Sequence, residues 1–183
     1  MKNIFIIGLF VLSLSGCRTQ KISLETIHQK PVQTPLKKSD MIKIVQIDLL
    51  KDTVFEVRKD GIGKIYPVFQ KAEGTAVLKL EVGYDLKIPV PDSRQNYVLL
   101  IPLPNPLKMD KKEGYKVPLS QILFGFQAFH PQAGYRFLTE KDGEVVIKAK
   151  DKSHLIVQVE LKGKPSKMNG SYIIELTDTA QEK

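Results

Sequence analysis

The chain has 183 residues, 42% of them hydrophobic and 26% charged, which gives room for one globular domain with a substantial core. Its single cysteine, Cys17, excludes an intramolecular disulfide. The formal charge of +8 is mostly lysine, with arginine only at Arg18, Arg58, Arg94 and Arg136; this favours diffuse attraction to anionic surfaces over bidentate readout of phosphate.

Residues 4–14 form the only long apolar run, about half the roughly 20 residues that a membrane-spanning helix needs. Met1-Lys2-Asn3 gives that run a positive start, and from Ser13 the chain turns small and polar, the layout of an export signal over residues 1–16. The stretch Leu14-Ser15-Gly16-Cys17 resembles the lipobox of bacterial lipoproteins. The resemblance covers only these first 17 residues. It implies cleavage before Cys17, a diacylglyceryl group on its thiol and, in some members, an acyl chain such as palmitate on the new amino group. Each buried methylene contributes about 0.8 kcal/mol and two chains make attachment stable, so the mature protein is expected to stay on a membrane. By analogy with Gram-negative lipoproteins, Arg18 in place of Asp after the cysteine points to the outer membrane, with the protein facing the periplasm or the cell surface.

Residues 17–40 are polar with two prolines and no sustained period, which reads as a tether with a reach of about 25 Å if flexible. His28 lies within it and is expected to be a solvated side chain.

From residue 41 to 178 short apolar runs of period two alternate with Gly, Pro, Asp and Lys clusters, predicting an all-β antiparallel sandwich, immunoglobulin-like or transthyretin-like. In chain order the predicted strands are 41–50, 53–58, 64–69, 76–82, 97–101, 122–129, 135–139, 144–150, 155–161 and 172–177. Leu155, Val157, Val159 and Leu161 face one way, with Gln158, Glu160 and Lys162 facing the other. Residues 97–101 are apolar at every position, as in a central strand buried on both sides. Residues 179–183 read as a disordered tail.

Lys59-Asp60-Gly61 and Lys141-Asp142-Gly143 each read as a turn joining two strands. Prolines in residues 88–91 and 101–106 should lie at edges or in extended loops. The long basic loop that follows, with Lys111, Lys112, Tyr115 and Lys116, is the candidate contact patch for a partner.

Groups for catalysis are scarce: three histidines, one cysteine committed to lipid and no tryptophan. No catalytic residue, metal ligand or cofactor site is assigned. Ser153 and His154, adjacent on a predicted strand, should point to opposite faces and so fail as a nucleophile and base pair. His130 has no partner at ligand spacing. Gly61-Ile62-Gly63-Lys64 precedes a strand-like run and reads as a hairpin turn instead of a phosphate loop. Asp60, Asp92, Asp110 and Asp142 fall in turns. Phe124, Phe126, Phe129, Tyr135 and Phe137 form the densest aromatic group and read as core packing across a hairpin, with a sugar or protein platform as the other reading. Asn169-Gly170-Ser171 fits a glycosylation sequon but reads as a turn. Asp52-Thr53-Val54 and Asp178-Thr179-Ala180 look like the O-glycosylation signal of some bacterial envelope proteins.

The expectation is a lipid-anchored, non-catalytic binding or accessory module of the cell envelope, with a protein or glycan partner and no nucleic acid. The other reading is an envelope glycan hydrolase whose carboxylates come from separate loops.

Overall fold

A computed structural model of the chain describes residues 26–29, 32–35, 41–86, 95–104, 114–127 and 134–176. Among the described residues eleven strands form: β1 Thr26–His28, β2 Val32–Pro35, β3 Met41–Lys59, β4 Ile65–Leu86, β5 Gln95–Pro104, β6 Tyr115–Lys116, β7 Leu123–Gln127, β8 Tyr135–Phe137, β9 Gly143–Ala149, β10 His154–Leu161 and β11 Gly170–Glu175. Helical residues among those described are confined to short 3-10 turns at Leu119–Gln121, Glu140–Asp142 and Lys164–Met168.

The strands make two antiparallel sheets, ordered β1-β3-β4-β5-β7-β8, with β2 also on β3, and β11-β10-β9-β6. Their facing sides close one core, as the alternation predicts. Leu49, Leu78, Leu80, Leu99, Ile101 and Phe124 from the larger sheet meet Val145, Ile147, Leu155, Val157, Val159 and Ile174 from the smaller. The fold is therefore an all-β, sandwich-like arrangement. β6 is the exception to local order, because the chain leaves the larger sheet after β5, pairs briefly with β9 and returns as β7.

Two pairs of predicted strands are in fact continuous. β3 and β4 run as one long hairpin, and where two breaks were expected there is a bend. Lys51 pairs with Ala76 but Thr53 pairs with Lys71, so residues 72–75 bulge opposite Asp52 alone. Asp52 takes φ +45° and Gly74 φ +72°. The Asp52 carboxylate accepts the Gly74 amide at 2.8 Å, while Thr53 Oγ1 donates to the Lys51 carbonyl at 2.6 Å. Beyond the bend, Phe55, Val57, Ile65 and Phe69 pack onto the outer face of the larger sheet, over Leu50, Val77, Val98, Leu100 and Leu123. That second core explains why residues 97–101 are apolar throughout: their alternate side chains fill two different cores. Full burial of such a side chain contributes about 1.5–3 kcal/mol, and the four of the arm are only partly buried, so each contributes a fraction of that and the arm is held by several such contacts at once.

Three sequence expectations need correction here. Thr26–His28 and Val32–Pro35, read as tether, are strands on β3, and Ile27 is buried in the main core opposite Leu49. A strand of three residues with one apolar side chain has no period to detect. The segment around Lys141-Asp142-Gly143 is no hairpin, because β8 belongs to the larger sheet and β9 to the smaller; it is the crossover between them. The aromatic group is also split. Phe124 and Phe126 join the main core around Tyr97, whereas Tyr135 and Phe137 lie on the outer side, opposite Gly125 and Leu123. Tyr135 covers Gly125 so closely that a Cβ there would lie 2.5 Å from its ring. Phe129 lies outside the described residues.

Pro102 and Pro104 sit at the end of β5, paired with Val77 and Thr75 of β4. The ladder to β7 stops at Leu100, so both prolines fall where β5 has one neighbour only.

Candidate functional site

The bend in the long hairpin opens a groove of about 560 Å³, within the range of ligand sites. The arm contributes Val54, Phe55 and Val57 to it, β4 contributes Ala76 and Val77, and β5 contributes Pro102 and Leu103. Tyr115, Ser120, Gln121 and Phe137 complete the opposite side. Phe137 is 41% exposed, a large apolar surface left at the mouth.

The threonines in the wall are already spent. Thr53 is fully buried and its hydroxyl is held by Lys51, while the Thr75 hydroxyl lies 2.7 Å from the Ala72 carbonyl and 3.1 Å from that of Thr53. Side-chain hydrogen bonding to a guest therefore falls to Tyr115, Ser120 and Gln121. Among the described residues the lining carries no carboxylate, amine or imidazole, so this part of the groove is built to hold apolar surface.

The candidate contact patch divides around this groove. Tyr115 is half-buried against the main core and lines the groove, whereas Lys116 is exposed and paired with Glu144 at 2.6 Å, which raises its pKa. Adjacent strand residues point to opposite faces, so these two do not present one surface. Lys111 and Lys112 lie outside the described residues, as do Cys17, Asp92, Asp110 and His130. The groove could not be read from the sequence, because its walls are distant segments joined only by the bend.

Ser153 and His154 do touch, against expectation, because Ser153 lies in the turn before β10 and not on the strand. Ser153 Oγ and both Asp151 carboxylate oxygens lie within 3.0 Å of the same nitrogen, His154 Nδ1. A nucleophile relay needs the hydroxyl on one ring nitrogen and the carboxylate on the other, so this trio cannot pass a proton along. It makes a turn instead. Asp151 also accepts the Ser153 amide at 2.8 Å, and His154 foremost, then that amide, holds the Asp151 carboxyl well below the usual carboxylate range.

A second polar cluster lies on the outer face of the larger sheet. Asp48 is 4% exposed and receives Gln46 Nε2 at 3.2 Å, with Lys79 Nζ at 3.8 Å and His28 Nδ1 at 2.9 Å. His28 is thus largely solvated, as expected, yet tied to β3. Lys79 also pairs with Glu81 at 3.1 Å. These contacts satisfy the buried carboxylate and fix β1 in place. Among the described residues no three of His, Cys, Asp and Glu gather as a metal site would require. Asn169 of the sequon holds the Leu161 amide and carbonyl at 2.7 and 2.9 Å, a turn-forming role.

Comparison of the chain with protein-family models, with curated proteins and with solved structures returns no match. Among the described residues, no helix is long and apolar enough to cross a membrane.

Proposed function

We propose that the chain is a lipid-anchored protein of the bacterial cell envelope, held at the outer membrane through Cys17, and that its sandwich is a non-catalytic module binding a protein partner. The groove beside the bent hairpin carries the reading. Its apolar wall, with Phe55, Leu103 and Phe137, suits side chains of a protein segment. A sugar would need more hydrogen-bonding groups than Tyr115, Ser120 and Gln121, the free polar side chains among the described lining residues, supply. The two prolines of β5 remove amide donors from the adjoining strand end, so the partner is bound by its side chains and not by adding a strand.

Photo-crosslinking from position 137, with position 173 on the smaller sheet as control, tests this in cells that produce the full chain. The reading predicts one envelope protein captured at 137 and not at 173. Equal capture at both positions, or competition by envelope glycan fragments, contradicts it.

A further inference from the structure

We propose that the tip of the β3–β4 hairpin is a contact site for an anionic bilayer surface. Val57 and Ile65 are the last side chains of the arm packed onto the sheet, and residues 58–63 beyond them are all exposed. At the apex stands Ile62, 77% exposed, the most exposed large apolar side chain among the described residues.

Ile62 is held there by an ordered turn. Asp60 donates its amide to the Lys64 carbonyl at 2.8 Å, and its own carbonyl accepts the Gly63 amide at 3.0 Å. The Asp60 carboxylate accepts the amides of Ile62 and Lys64 at 3.0 and 2.8 Å. Gly63, at φ +82°, closes the turn, and neither Gly61 nor Gly63 has a neighbour near the place a Cβ would occupy. The apolar apex is therefore presented to the outside by design of the backbone and is not covered by any described part of the chain.

The surroundings identify what fits it. Arg58 and Lys59, both exposed, flank the apex, and the one carboxylate of the turn, Asp60, is engaged by backbone amides. Tyr66, directly across the ladder from Arg58, is 41% exposed. An apolar tip to enter the acyl boundary, a tyrosine at headgroup depth and cations for anionic headgroups are the three parts of an interfacial membrane contact. A protein groove would take the isoleucine but gives no reason for the basic collar and the tyrosine together. The inference stands whether or not Cys17 bears lipid, and its failure leaves the groove reading untouched.

Hydroxyl-radical footprinting of the full chain on vesicles tests it, comparing phosphatidylcholine alone with phosphatidylcholine mixed with phosphatidylglycerol. On the mixed vesicles oxidation of Ile62 and Tyr66 should fall several-fold, recover in high salt and stay near its free value on phosphatidylcholine alone, with Ile173 unchanged throughout. The drop should be lost at Tyr66 in the Ile62→Asp, Arg58→Glu variant. No protection of Ile62 on the anionic vesicles, equal protection on the neutral ones, or equal protection of Ile173 overturns the proposal.

Discussion

Arg136 grips Asp142 with both terminal guanidinium nitrogens, Nη2 at 2.7 Å and Nη1 at 3.1 Å. The same carboxylate accepts the amide and hydroxyl of Thr139, so the crossover between the two sheets is clasped at one residue. Arg136 foremost, then the Thr139 bonds, hold the Asp142 carboxyl well below the usual carboxylate range. A depressed folded-state pKa contributes stability that is present above the unfolded value and lost as pH falls through the folded one. Asp142→Asn should therefore cost about 1 kcal/mol at neutral pH, a figure kept small because the Arg136 side chain is 47% exposed. Urea midpoints should show that gap closing as pH falls below about 4.

Gly143, the next residue, has φ +128°, and a Cβ on it would collide with the backbone carbonyl of Glu160. Neither conformation nor space admits a side chain. Gly143→Ala should destabilise by about 3 kcal/mol or more, whereas Gly63→Ala, at φ +82° but with open space around it, should cost about 1–2 kcal/mol. Thermal unfolding of the two variants compares them directly.

Thr53 of the Asp52-Thr53-Val54 signal is buried with its hydroxyl engaged. Mass spectrometry of the native protein should find Thr53 unmodified. Thr53→Val should cost about 1 kcal/mol in chemical denaturation, since it removes a hydrogen bond from the bend.

Tyr172 donates its hydroxyl to the Met168 carbonyl at 2.7 Å and is pushed up to about 12, chiefly by burial and secondarily by nearby Tyr84. A raised tyrosine pKa contributes stability that holds below the unfolded value near 10 and fades as pH rises through the folded one. Tyr172→Phe should lower stability by about 1 kcal/mol at neutral pH and leave less alkaline loss, and ultraviolet titration should lose its latest-ionising tyrosine.

Strand identity was legible where a single period governs burial. Leu155, Val157, Val159 and Leu161 alternate cleanly because one face of β10 meets the core and the other meets water. Tyr97 to Ile101 announced a strand covered on both faces, but not what covers it. That cover depends on Asp52 and Gly74 folding a hairpin back, a tertiary event with no periodic signature. The Asp60 turn was readable because its aspartate and glycines act locally. The crossover at Asp142 has the same composition, and only the packing of two sheets distinguishes it from a hairpin. The groove was hidden for a similar reason: Phe55, Leu103 and Phe137 are far apart in sequence and share no motif.

The central claim, an anchored module with a protein partner in the groove, is tested most directly by one affinity purification of membrane-extracted protein. Full chain, Cys17→Ala and Phe137→Asp versions are compared by mass spectrometry of their bound proteins and amino-terminal peptides. The account predicts a lipid-bearing Cys17 peptide and a stoichiometric envelope protein that Phe137→Asp loses while keeping its lipid. An unmodified Cys17, or a partner retained undiminished by Phe137→Asp, would contradict it.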